Sequence, residues 1–123
     1  MVRNFPEPEI FTLNCPTQQV LDIIGNKWSV IVLYCLAYGS KRYTQIQRRI
    51  EGISQKVLTQ TLRNLERNGL IERKTNLQSS TSIEYSLTTL GESLIEPLLE
   101  ISDWSRANFE EVCTARDLYD ENS

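Results

Sequence analysis

A mostly helical α+β fold is the class that this sequence predicts, on three observations. Leu58, Leu62 and Leu65 recur at helical spacing between a serine cap, Ser54, and a glycine stop, Gly69. Two short strand-like runs follow, one opening at Leu70-Ile71 and one containing Ile83, Tyr85 and Leu87. Upstream, Trp28 to Leu36 is apolar on nearly every position, the pattern of a helix buried on most sides. Helix, glycine turn, helix and strand pair, in that order, outline a winged helix-turn-helix domain.

Residues 1–14 hold Pro6 and Pro8 with few clustered apolar side chains, so an extended arm is expected. A first helix starts at Cys15, with Pro16 at the first helical position, where its missing donor is harmless. Val20, Leu21, Ile23 and Ile24 form its apolar face, and Gly25 ends it. The second helix is expected from about Lys27 to Tyr38, closed by Gly39 and Ser40. A short third helix, near Thr44 to Ile50, turns through Gly52 into the fourth, which Ser54 caps. Because the leucines of the fourth helix must face the core, Lys56, Thr59, Gln60, Arg63 and Arg67 are expected outside. After Asn68-Gly69 a strand runs to about Thr75, and Asn76 to Ser82 reads as the turn before a half-buried return strand.

Thr88 or Thr89 caps the last helical region, and Thr89 with Glu92 matches a capping box. That region, about residues 89–115, carries Leu94, Leu98, Ile101, Phe109 and Val112 on a stripe too long for a small domain to cover. Part of it is expected to meet a second subunit, with Trp104 as the aromatic anchor and Pro97 kinking or splitting the helix. Residues 116–123 are expected to be a flexible tail. The 123 residues suit one domain, spanning 15–115.

Charge is distributed unevenly. The chain carries net −3, yet Lys41 to Lys74 holds nine basic and three acidic residues, a local +6, against −9 for the remainder. A local basic surface gains affinity for a polyanion through counterion release, so the acidic total does not exclude DNA. The first turns of a recognition helix meet base edges in the major groove, where glutamine pairs with adenine and lysine or arginine with guanine. The expected double-stranded DNA contacts are therefore Ser54, Gln55, Lys56, Thr59, Gln60, Arg63 and Arg67, with Lys41, Arg42, Arg73 and Lys74 beside them. Arg48 and Arg49 are read equally as solvated charges or as a phosphate clamp.

Other classes find little support. The chain has no histidine, which removes Ser-His and Cys-His nucleophiles and imidazole metal sites, and it has no glycine-rich phosphate loop. An enzyme is thus the weakest reading, and no metal or cofactor is expected. No apolar run approaches the roughly 20 residues of a membrane span, and no signal core precedes a cleavage site, so a cytoplasmic protein is expected. Three cysteines, Cys15, Cys35 and Cys113, have neither zinc spacing nor an even count for a disulfide framework.

The order of motifs resembles the HxlR-type winged-helix transcription regulators of bacteria and archaea, relatives of the MarR regulators. Cys15-Pro16, Gly25 to Trp28, Gly52 to Ser54, Leu58 to Leu65, Asn68 to Ile71, Glu84 to Thr88, Gly91 and Asp103-Trp104 carry the resemblance. It implies a homodimer whose first and last helices pair, here through Val20, Leu94, Leu98, Ile101, Trp104 and Phe109, and whose two recognition helices read a partly palindromic operator. Repression is the expected sign, with a small molecule or an oxidant as effector. One departure concerns the wing: Asn76 to Ser82 lacks the prolines and the basic residue common near the family's wing tip, so weaker minor-groove contact is expected.

In some members similar to this chain, the cysteine at the start of the first helix senses oxidants or electrophiles, and Cys15 holds that place. Unpaired backbone donors and the positive dipole end of a helix N-terminus favour the reactive thiolate. Two readings of Cys15 stand, redox sensor and structural cap. Cys35 is expected to be an inert core residue. A ligand-responsive regulator without thiol sensing, and a winged-helix protein-interaction module that no longer binds DNA, are the competing functions.

Overall fold

The computed structural model describes residues 6–7, 9–75 and 82–122. Among these described residues, five helices and three strands follow in the order α1 (Pro16–Ile24), α2 (Ser29–Ala37), β1 (Lys41–Arg42), α3 (Tyr43–Arg49), α4 (Gln55–Arg67), β2 (Ile71–Thr75), β3 (Ile83–Leu87) and α5 (Thr89–Glu121). The fold is the mostly helical α+β class expected, with a small antiparallel sheet. Strand order is β1-β3-β2, with Ile71 opposite Leu87, Arg73 opposite Tyr85, and Lys41 also opposite Tyr85 on the other edge.

The core lies between α2, α3, α4 and the start of the wing. Val32, Leu33 and Leu36 meet Ile46, Ile50, Leu58, Leu62, Leu65, Leu70 and Ile71, all buried. The leucine stripe of α4 is therefore the face that fixes this helix, and its opposite face is left to solvent. Ser54 caps α4 by accepting from the Val57 N–H at 3.1 Å, and Gly69, at φ +77°, ends it in a conformation that costs side-chain-bearing residues about 1–2 kcal/mol.

Several boundaries differ from the sequence reading, each for a local reason. α2 begins at Ser29 because Asn26 Oδ1 accepts from the Trp28 and Ser29 N–H groups, both at 2.9 Å, leaving Lys27 and Trp28 outside the helix. β1 is new: two residues are too short to show periodicity, and only pairing with β3 makes them a strand. That pairing makes β3 the central strand, so Glu84 and Ser86 are half-buried as well, while Ile83 is exposed. Clean alternation is lost.

Thr88, rather than Thr89, caps α5. Its hydroxyl accepts from the Gly91 N–H at 3.0 Å and donates to the Gly69 carbonyl at 2.6 Å. α5 then runs unbroken through Pro97 to Glu121, which corrects both the expected split and the tail from residue 116. Around Pro97 the helix is held by tertiary contacts: Leu94, Ile95 and Leu98 pack on the core, and Tyr34 Oη donates to the Leu98 carbonyl at 2.8 Å. Thirty-three residues at about 1.5 Å each make a rod of about 50 Å, longer than the core beneath it.

The expected interface residues divide accordingly. Leu98 is buried in the protomer's own core, and Leu94 is half-buried against that core. Val20, Ile101, Trp104 and Phe109 are exposed, as are Ile10, Phe11 and Leu13 before α1. The wing tip, residues 76–81, on which the expectation of weak minor-groove contact rests, lies outside the described residues. No single helix among those described is long and apolar enough to cross a membrane.

Candidate nucleic-acid interface

α3, the turn through Gly52 (φ +81°) and α4 form the helix-turn-helix. On α4, Lys56, Gln60, Arg63 and Arg67 recur at steps of four, three and four residues, which places them along one line of the helix. All four are exposed, as is Gln55 in the first turn. None of these five side chains has a hydrogen-bond or ion-pair partner among the described residues. This is a strip of cations and amides left free by the burial of the leucines behind it.

The other expected contacts are already engaged to different degrees. Ser54 uses its hydroxyl on the α4 cap. Thr59 is half-buried, its hydroxyl 3.0 Å from Tyr43 Oη, and Tyr43 Oη also donates to the Gln55 carbonyl at 2.9 Å. Arg42 is exposed at the N-cap position before α3, where its N–H donates to Gln45 Oε1 at 2.8 Å. Arg73 Nε lies 3.3 Å from Glu66, and Lys74 Nζ lies 3.1 Å from Glu72. Exposed pairs of this kind are worth at most about 1 kcal/mol, so a phosphate can displace the carboxylate. Lys41 is different: its ammonium donates to the Cys35 carbonyl at 2.8 Å and the Gly39 carbonyl at 3.3 Å, which turns it toward the end of α2.

Tyr43 is the residue that sequence reading missed. A tyrosine at the first position of a short helix carries no signal of its own, yet it ties α3 to the first two turns of α4. Replacing Tyr43 by phenylalanine is expected to cost about 1 kcal/mol of stability, read from urea unfolding, because two neutral hydrogen bonds disappear without a change of shape. Cys35 lies at the edge of the core. It is half-buried, packing against the core on one side and lining a surface cleft on the other. Cys15 is exposed at the N-cap of α1, where its sulfur accepts from the Gln18 N–H at 3.4 Å.

A family model described as HxlR-like helix-turn-helix matches residues 23–113. The chain belongs to that family. Among its relatives is an uncharacterised HTH-type transcriptional regulator, YtfH of Escherichia coli K12, 36% identical over 111 residues that cover 90% of this chain and 88% of the relative. The redox regulator HypR in its oxidised form superposes with a TM-score of 0.69 at 37% identity, over 76% of this chain and 97% of HypR. The reduced form of the transcriptional regulator YodB from Bacillus subtilis gives 0.68 at 30% identity, over 74% of this chain and 90% of YodB. This HxlR-family chain is accordingly a helix-turn-helix transcriptional regulator. Residues 23–113 contain α3, α4 and both wing strands, the elements that bear the exposed strip.

Proposed function

We propose that this protein is a homodimeric repressor that reads a partly palindromic operator with the exposed strip of α4 and is released by oxidation at Cys15. The observation that carries the DNA-reading assignment is the strip itself: Gln55, Lys56, Gln60, Arg63 and Arg67 point away from the core on the helix that follows the turn, with no internal partner among the described residues. Arg42, Arg73 and Lys74 flank it as phosphate contacts.

Dimerisation is supported by apolar side chains that the protomer leaves uncovered. Val20 and Leu21 on α1 and Ile101, Trp104, Phe109 and Leu118 on α5 are all exposed. A partner laid along α1 and the second half of α5 removes them from water. Two copies related by a two-fold axis present two recognition helices, which makes a palindromic site the natural target.

Thiol control is supported by the exposure of Cys15 at the start of α1, beside the surface assigned to dimerisation, and by the similarity to HypR, a redox regulator. Replacing Cys15 by serine is expected to leave operator affinity unchanged within about two-fold while abolishing release by diamide, checked by fluorescence anisotropy of labelled operator. A serine variant that still releases DNA would move the sensor to Cys113 or Cys35.

The test of the whole reading is selection of genomic fragments by the reduced protein, repeated after diamide. A partly palindromic site enriched only by reduced protein supports the proposal; a site enriched in both states points to a small-molecule effector instead, and no enrichment overturns DNA reading. Raised transcription of the adjoining genes in a deletion strain supports repression, and lowered transcription reverses the sign.

A further inference from the structure

Among the described residues, ion pairs are unevenly placed within the basic stretch 41–74. The exposed strip of α4 has none, whereas each cation at the base of the wing faces a carboxylate, Arg73 facing Glu66 and Lys74 facing Glu72. Two of the three acidic residues in the stretch are placed this way, so most of its negative charge sits at the wing base. The two pairs differ in kind. Glu72 and Lys74 lie two apart on one strand, and their contact joins nothing that β2 does not already join. Glu66 and Arg73 come from the last turn of α4 and the middle of β2, so their contact spans the gap between recognition helix and wing. Arg73 Nε lies 3.3 Å from Glu66 Oε1 and donates to Oε2 at 3.4 Å, which puts both carboxylate oxygens against one edge of the guanidinium. Arg63, Tyr43 and Tyr85 line the same niche of about 300 Å³, and Glu66 supplies its carboxylate, so two arginines share one negative charge there.

We infer that Glu66 is an internal competitor for DNA phosphate: it occupies Arg73 in the free protein and is displaced when Arg73 meets the backbone of a duplex. Operator affinity is thereby held below the value that the cations alone would give. Such competition presupposes the DNA-facing α4 and wing base proposed above. Magnitudes fix the sign of the effect. With side chains 51% and 37% exposed, the pair contributes too little to hold the wing, so its loss does not loosen the fold. A carboxylate beside a polyanion opposes binding wherever a phosphate lies within a Debye length of about 8–10 Å. The salt dependence carries the signature. A phosphate that meets a free arginine releases a condensed cation from the DNA. A phosphate that takes Arg73 from Glu66 releases the same cation, but the freed carboxylate, negative beside the duplex, draws one back. The exchange cancels in the salt slope, and Arg73 counts there as a phosphate contact only when position 66 carries no charge.

The test is Glu66→Gln in the full chain, titrated by fluorescence anisotropy against the selected operator and against an unrelated duplex of equal length. The amide keeps an oxygen for the Arg73 Nε–H and removes only the charge. Affinity for both duplexes is expected to rise about five-fold at low salt, and the slope of log affinity against log salt to steepen by about 1. Glu66→Ala, which removes the hydrogen bond as well, is expected to gain as much; a loss of affinity there would make Glu66 a clasp for the wing and overturn the competition. Arg73→Gln completes a double-mutant cycle: in its background Glu66→Gln is expected to change affinity by no more than about two-fold, because the cation it guards is gone. An unchanged or lowered affinity in Glu66→Gln, an unaltered salt slope, or the full gain in the absence of Arg73 overturns the inference. The unrelated duplex separates this outcome from the reading of α4. If Glu66→Gln tightens that duplex with the expected slope while Lys56→Ala with Arg63→Ala leaves operator affinity untouched, the competitor stands and α4 is not the reader.

Discussion

Replacing Lys56 and Arg63 together by alanine is expected to lower operator affinity about 100-fold or more, with the melting temperature unchanged within a few degrees. Each side chain that contacts a base edge contributes about 1–3 kcal/mol, and two such losses reach that size. Stability is spared because both residues are exposed and unpartnered, whereas the buried residues Leu58, Leu62 and Leu65 hold the helix from its other face. Removing two cations from the interface is also expected to flatten the salt dependence, reducing the slope of log affinity against log salt by about 1–2. Anisotropy titrations of the selected operator at several salt concentrations measure both quantities. Affinity and slope that remain at wild-type values would remove α4 as the reader.

Gly91→Ala is the substitution expected to damage the fold most for its size. Gly91 lies in the first turn of α5, where alanine ordinarily gains about 1 kcal/mol over glycine in a helix. Here the added Cβ falls 2.0 Å from the Leu70 carbonyl oxygen and 3.0 Å from its carbon, both backbone atoms that cannot rotate aside. That carbonyl also accepts from the Thr88 N–H at 3.1 Å, and the Thr88 hydroxyl holds the Gly69 carbonyl, so the start of α5 is laced to the end of α4. Relief requires moving the whole helix start. Overpacking alone costs about 1–3 kcal/mol, and breaking these bonds adds to it, so a net loss of about 3 kcal/mol is expected, or about 10 °C in melting temperature. Gly52→Ala makes the comparison: nothing lies within 4 Å of its added Cβ, and only its positive φ is strained, for about 1–2 kcal/mol. Thermal melts that rank Gly52→Ala as the more damaging would refute the close approach of α5 to Leu70.

The same contact illustrates which parts of the molecule were legible in advance. Gly91 appeared among the residues that carry the family resemblance, but nothing in its own neighbourhood explained it, because the atom it must avoid belongs to a residue 21 positions earlier. Tyr43 is similar, since its two bonds reach Gln55 and Thr59 across the turn. By contrast, α4 was readable nearly to the residue: a serine cap, three leucines at helical spacing and a glycine stop are local signals that act within one element.

What the amino-acid sequence by itself determined is therefore the succession of elements and the two faces of α4, because capping, periodicity and glycine stops depend on neighbours within a few residues. Tertiary structure decided the rest. It made a strand of Lys41–Arg42 by pairing it with β3, carried α5 past Pro97 by packing Leu94, Ile95 and Leu98, and drew Leu98 into the core while leaving Trp104 exposed. It also turned Lys41 toward α2 and brought Arg49, Tyr38 and Ile31 around one cleft. Each of these outcomes depends on atoms far apart in the chain, where the burial and hydrogen bonding of one segment are set by the surface of another.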